Sequence, residues 1–233
     1  MSRPWVLISG ASSGFGEASA QQLAKEGWNV LLTSRREERL EEVAQTCRSM
    51  GATVHVEAWD MRDRRATQEG VEDLMKRAGI GTEENNPFLG ALVNNAGLAV
   101  GKGPFDQGLD DDWDRMLDTN VKGLLFLARA CVPFMTAGSR MVNMGSIAGK
   151  QVYPGGNVYC ASKHAVDALS QAMRIDLVDR GIGVSQICPG AAETEFSNVR
   201  FKGNQAEADA VYQGYDPLVA QDIAEAVSFV LSR

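Results

Sequence analysis

Val6-Leu7-Ile8-Ser9-Gly10-Ala11-Ser12-Ser13-Gly14-Phe15-Gly16 is the stretch on which the fold turns. It opens on an apolar run without alternation, as a strand buried on both faces of a parallel sheet requires. A glycine-rich turn follows and leads into a helix that runs to about Glu26 and stops at Gly27. Gly10, Gly14 and Gly16 let the backbone turn tightly, approach a pyrophosphate and set it at a helix N-terminus. The whole turn, with Ser12, Ser13 and Phe15, is therefore a candidate phosphate cradle. Its spacing is Gly-x-x-x-Gly-x-Gly rather than Gly-x-Gly-x-x-Gly, so a strand–helix turn without a ligand stays open as a reading.

The same alternation of strand and helix repeats outward from this stretch. Val30-Leu31-Leu32-Thr33 reads as a second strand, followed by a charged helix from Glu37 to Met50. Val54, Val56 and Ala58 alternate into a third, and a polar helix reaches about Ala78 before a turn-rich loop from Gly79 to Pro87. Leu89 to Val93 gives a fourth strand, closed by Asn94-Asn95-Ala96-Gly97. A long helix is expected from about Asp111 to Met135, a fifth strand over Met141–Met144, and another helix from Asn157 to Arg180. Val184–Ile187 forms the sixth strand and runs into Cys188-Pro189-Gly190. This order predicts an α/β fold, a doubly wound parallel sheet of the Rossmann type with right-handed crossovers, as a single domain over residues 1–233. No good N-cap precedes the last helix until Asp222, so that helix is expected to start late or fray.

Composition bounds the function. With 44% hydrophobic and 23% charged residues, the chain of 233 residues has an ordinary globular composition with a sizeable core. A formal net charge of −7 argues against nucleic acid or an anionic membrane as a partner. Cys47, Cys131, Cys160 and Cys188 are widely spaced, without a metal-ligand pattern, and read as free thiols in a reducing compartment. The start, Met1-Ser2-Arg3-Pro4-Trp5, carries no apolar leader, and the most apolar window, Gly123–Met135, is too short to span a bilayer. A cytoplasmic protein is expected.

Two further stretches carry chemistry. After the second strand come Ser34-Arg35-Arg36, where a dinucleotide fold reads the adenosine ribose and where an acid would select NAD. Two guanidiniums suit a 2′-phosphate in charge and fork geometry. A solvated helix start is the plainer reading, but cations there oppose the helix dipole, so NADP is expected. Asp60, before Met61, stands either at the adenine edge or as a helix N-cap, a role also open to Asp63. The other stretch is Tyr159-Cys160-Ala161-Ser162-Lys163, with Ser146 upstream at a strand end. Tyr159 and Lys163 share one helix face. A cation about 5 Å from a phenol at an effective dielectric near 20 stabilises the phenolate by roughly 3 kcal/mol. Lys163 would thus bring Tyr159 from a pKa of about 10 to about 8, with burial pushing the other way. Ser146 would hold a substrate oxygen against the phenol.

Taken together, Ser9-Gly-x-x-x-Gly-x-Gly16, Asn94-Asn-Ala-Gly97, Asn120, Ser146, Tyr159-x-x-x-Lys163 and Pro189-Gly190 resemble the short-chain dehydrogenase/reductase family over nearly the whole chain. The resemblance implies Tyr159 as acid–base, Lys163 as its activator and nicotinamide-ribose ligand, Ser146 as carbonyl binder and Asn120 as holder of a proton-relay water. It implies a cofactor surface that also takes in Asn94, Ala96, Gly97, Pro189, Gly190 and Thr194. Gly14-Phe15-Gly16-Glu17, Arg35–Leu40 and Glu193–Gly203 are similar to the NADP-dependent 3-hydroxy acid (serine, allo-threonine) dehydrogenases in that family. The expected activity is NADP-dependent interconversion of a secondary alcohol and a ketone, the alcohol being a small 3-hydroxy acid such as serine or allo-threonine. A reductase of bulkier uncharged carbonyls and a non-catalytic NADP-sensing protein are the alternatives, with residues 191–216 as the loop that decides substrate. Arg200 in that loop reads equally as an anchor for a substrate carboxylate and as a solvated surface arginine. The family also pairs its two long helices across a two-fold axis, implying a homodimer or homotetramer. It continues past the last helix into a seventh strand, whereas this sequence stops at Ser232-Arg233.

Overall fold

Among the described residues six β-strands pair side by side, all parallel, in the order β3-β2-β1-β4-β5-β6. They are β1 (Trp5–Ser9), β2 (Asn29–Ser34), β3 (Val54–Ala58), β4 (Leu89–Asn94), β5 (Arg140–Met144) and β6 (Gly183–Ile187). The computed structural model describes residues 4–81, 87–212, 214 and 216–233. Part of the turn-rich loop expected at Gly79–Pro87 and the opening Met1-Ser2-Arg3 lie outside the described residues. So do two positions near the end of the 191–216 segment.

The apolar strand runs alternate between two buried layers. Leu7, Leu31, Leu92 and Met141 face one side, where they meet α3 (Arg64–Arg77) and α5 (Leu124–Cys131). Val6, Ile8, Val30, Leu32, Val93 and Val142 face the other, against α1 (Gly14–Lys25), α2 (Glu37–Ser49) and α9 (Ala220–Leu231). Burial on both faces is why these strands read as continuous apolar runs, while side chains still point alternately up and down. Strand order reverses between β1 and β4. A crevice therefore opens beyond their C-terminal ends.

Three elements differ from the sequence expectation. The long helix is α4 (Asp110–Leu117), a π-helical turn (Asp118–Gly123) and α5 in succession, closed by a 3₁₀ turn at Val132–Phe134. The widened turn contains Asn120, whose buried side chain bonds the Leu98 backbone and Ser162 Oγ. The 191–216 segment is not only loop. It forms α7 (Glu195–Arg200) and α8 (Gln205–Ala210), with Thr194 as N-cap accepting from the Phe196 amide at 3.2 Å. Finally, α9 starts ahead of Asp222 rather than at it. Asp222 Oδ2 reaches back to accept from the Val219 amide at 2.8 Å, so it caps from inside the first turn. The helix between β5 and β6, α6, spans Asn157–Leu177 with a 3₁₀ end at Val178–Arg180. Among the described residues no helix is long and apolar enough to cross a membrane.

Candidate active site

A cavity of about 640 Å³ opens where the C-terminal ends of all six strands converge. Each strand contributes residues at or just past its end: Gly10, Ser34–Arg36, Trp59–Met61, Asn95–Leu98, Gly145–Ala148 and Pro189–Ala192. The size falls within the range of about 300–1,000 Å³ common to ligand clefts.

At the β1 end the glycine-rich turn is built as a cradle. Gly10 has φ +65° and Gly14 φ +55°, both in the left-handed region. A Cβ on Gly16 would lie 2.3 Å from the Gly10 carbonyl, so only glycine lets the first turn of α1 press onto the loop. Gly10, Ser12, Ser13, Gly14 and Phe15 line the cavity, while Gly16 lies behind them. Asn95 clamps this turn to the end of β4. Its Nδ2 donates to the Ser9 carbonyl at 2.9 Å, and the amides of Asn95 and Ala96 donate to Ser9 Oγ at 3.0 Å. Asn95, Ala96 and Gly97 line the cavity, but Asn94 points away and donates to the Leu124 carbonyl at 2.9 Å. The sequence marked Asn94 and passed over Asn95. Adjacent residues project to opposite sides, and only the register tells which one faces the ligand.

At the β2 end Arg35 and Arg36 both reach the cavity. Arg36 donates to Ser12 Oγ at 3.2 Å and Ser13 Oγ at 2.7 Å, and meets Glu195 at 3.1 Å. Asp60 lines the wall beside Met61 and is gripped by Arg62, whose hydrogen bond holds its carboxyl below the usual range. The N-cap of α3 is Asp63 instead, accepting from the amides of Arg65 and Ala66.

Tyr159 and Lys163 sit on one face of α6, buried, across from Ser146. Lys163 Nζ donates to the Met144 carbonyl at 2.8 Å, which anchors the ammonium at the end of β5. A Cβ on Gly149 would come 2.5 Å from the Lys163 carbonyl, so α6 and the turn after Ser146 touch backbone to backbone. Ser146 accepts from the Ala148 amide at 3.1 Å and lies close enough to the Tyr159 phenol to favour its ionised form. Asn120 does not reach the cavity. Its side chain takes both the amide and the carbonyl of Leu98 at 2.8 Å and Ser162 Oγ at 3.0 Å, fixing the chain after β4 to α6.

The electrostatics correct the sequence expectation for Tyr159. Burial pushes its pKa up to about 12, although Ser146 and the Arg200 charge pull the other way. Burial also pushes Lys163 down to about 8. Desolvation therefore exceeds the expected lysine–phenolate attraction, and the phenol is protonated at neutral pH in the protein alone.

Over this end of the cavity lies α7. Arg200 Nη1 donates to the Tyr153 phenol oxygen at 2.7 Å, and the guanidinium carbon lies 5.2 Å from the Tyr153 ring centre and 5.6 Å from that of Tyr159. Its Nε and Nη2 are buried and have no hydrogen-bond partner among the described residues. Arg200 is thus not the solvated surface arginine of the plainer reading. Phe196 leans on Tyr159 with ring centres 5.6 Å apart. Tyr153 and Glu195 carried no sequence signal as site residues, because their partners are far along the chain. Pro189, Gly190 and Thr194 line the wall as expected. Among the described residues no cluster of His, Cys, Asp or Glu side chains could hold a metal ion.

The chain is similar to known proteins over nearly its whole length. The short chain dehydrogenase family model matches residues 4–205. Sulfoacetaldehyde reductase 2 of Chromohalobacter salexigens is 43% identical over 96% of this chain and 86% of its own length. Serine 3-dehydrogenase of Rhizobium radiobacter is 41% identical over 98% of this chain and 88% of its own. The closed form of serine dehydrogenase complexed with NADP+ superposes with a TM-score of 0.88 at 38% identity, covering 98% of this chain and 89% of that one. The cradle, the paired arginines and the cavity volume fit an NADP molecule laid across the strand ends.

The phenol pKa is open to direct measurement. Alkaline titration of the cofactor-free protein, read as tyrosinate absorbance against Tyr159→Phe, should show no ionisation from this residue below pH of about 10. A difference signal centred near pH 8 would restore the lysine-dominated picture.

Proposed function

Because this chain belongs to the short-chain dehydrogenase family and is an NADP-dependent oxidoreductase, we propose that it interconverts an anionic hydroxy acid and its carbonyl partner. NADP, when bound, supplies the hydride chemistry. The chain supplies the proton and the orientation. Ser146 holds the substrate oxygen, and Tyr159 gives it a proton in reduction or takes one in oxidation, in the order set by the direction of the reaction. Lys163, fixed on the Met144 carbonyl, keeps a cation one helical turn from the phenol. Asn120 holds the loop after β4 in place beside them.

The observation that carries the substrate class is the unpartnered Nε–Nη2 edge of Arg200, buried beside Tyr159. Leaving guanidinium N–H groups buried without acceptors is costly, and that edge suits a planar carboxylate or a sulfonate side-on. Lys102 reaches the same wall and adds positive charge. Both named relatives act on compounds in which the anionic group is carried by the carbon next to the reacting one, sulfoacetaldehyde as sulfonate and serine as carboxylate. A 3-hydroxy acid or its sulfonate counterpart would place its anion at Arg200 with its hydroxyl at Tyr159. Residues 191–216, with α7 and α8, then act as the substrate segment. Bulkier uncharged carbonyls fit this reading poorly, since they would leave the arginine edge unmet.

Assembly follows from the helices that flank the site. Ala161, Ala168, Ala172 and Ile175 are exposed along one side of α6, and Leu125 and Phe126 on α5 stay half-exposed. Such faces fit a two-fold pairing of these helices between copies of the chain. Light scattering at micromolar concentration should report at least a homodimer, and a monomer would refute the pairing.

The substrate reading has its own test. Arg200→Ala should raise KM for 3-hydroxypropanoate by about tenfold or more, the loss of a charge-assisted contact, while an uncharged alcohol of similar size barely changes. Equal losses on both substrates would mean that α7 merely covers the site.

A further inference from the structure

The helix that carries Arg200 also reaches the opposite end of the cavity. At its start, Glu195 Oε2 lies 3.1 Å from Arg36 Nη1, and Glu195 Oε1 lies 3.6 Å from Arg39 Nη2. Partial burial works against ionisation of Glu195, but the hydrogen bond and charge of Arg36, with Ser13 and Arg39, hold its carboxyl below the usual range. Arg36 in turn rests on Ser12 and Ser13 of the glycine-rich turn. A protein carboxylate thus stands on the guanidinium that follows β2, where the adenosine ribose of a dinucleotide lies.

A 2′-phosphate brings between one and two negative charges and several strong acceptor oxygens to the same guanidinium. Two anions on one arginine repel, and the phosphate, with its greater charge, competes better for the donors. We propose that Glu195 is the resident counter-ion of Arg36, that the 2′-phosphate of NADP displaces it, and that Glu195 is thereby a cofactor-specificity residue. NAD carries a hydroxyl at that position and leaves the Arg36–Glu195 pair intact.

The exchange has a consequence for the other end of the cavity. Glu195 opens α7, and Arg200 closes it, with the Arg200 carbonyl accepting from the Gly101 amide at 3.0 Å. Releasing Glu195 frees the first turn of α7 while its last turn stays tied to Tyr153 and Gly101. The segment that covers Tyr159 therefore responds to which cofactor is present. An ordinary exposed ion pair that only steadies α7 would weigh equally on both cofactors, and this is what separates the two accounts.

The test uses the purified full chain and calorimetric binding of 2′,5′-ADP and 5′-AMP, which differ by the 2′-phosphate. Glu195→Gln should bind 2′,5′-ADP about two- to fivefold more tightly than the unaltered protein, with 5′-AMP unchanged. Glu195→Ala, which cannot form a new amide hydrogen bond, should show the same direction. Unchanged or weaker 2′,5′-ADP binding, or an equal shift for 5′-AMP, would overturn the proposal. No substrate enters this measurement, so its outcome is independent of the anion assigned to Arg200.

Discussion

The hydrogen bond from the Lys163 ammonium to the Met144 carbonyl is the join on which the site depends. Met144 ends β5 and Lys163 lies in the second turn of α6, so this contact sets the helix against the sheet at the point where the strands stop. Gly149 makes the same contact possible from the other side, since any Cβ there would strike the Lys163 backbone. Tyr159, one turn earlier on the helix, is carried into the crevice by that docking, and Ser146, at the start of the Gly149 turn, arrives opposite it. All three side chains are thus placed by one backbone approach and one charge-assisted hydrogen bond.

The same burial that fixes these groups sets their charge states. A phenol and an ammonium withdrawn from water both favour the neutral form, which is why Tyr159 moves up and Lys163 down. At neutral pH the phenol is an acid ready to give its proton, and the ammonium still predominates over the amine. Positive charge from Arg200 reaches Tyr159 across its ring face and partly offsets the desolvation. Arg200 therefore bears on the charge state of Tyr159, and α7 links it to the arginines at the far end of the cavity.

Much of this was legible in the chain itself, for physical reasons that differ by element. Val6-Leu7-Ile8 and Val30-Leu31-Leu32 could only be strands buried on both faces, and the glycines after β1 permit a backbone approach that no other residue allows. Tyr159, Lys163 and Ser146 were visible because helix periodicity and a strand end bring them together. Asn95 was missed in favour of Asn94 because a strand's facing is decided by register, which sequence spacing alone does not fix. The π turn at Asp118–Gly123 and the short helix α7 have no apolar repeat to announce them, and both are held by partners far along the chain. The pKa of Tyr159 was misjudged for the same reason: a pairwise attraction can be read from spacing, but the burial that outweighs it belongs to the folded whole.

The account stands most directly on Tyr159 as the group that moves the proton. Steady-state oxidation with NADP+ and direct titration of NADP+ binding, both compared with Tyr159→Phe, separate that role from a structural one. The account predicts a fall in kcat of about a hundredfold or more with the NADP+ dissociation constant nearly unchanged. A variant that kept more than about a tenth of kcat would contradict it, since a positioned acid–base group contributes far more than that.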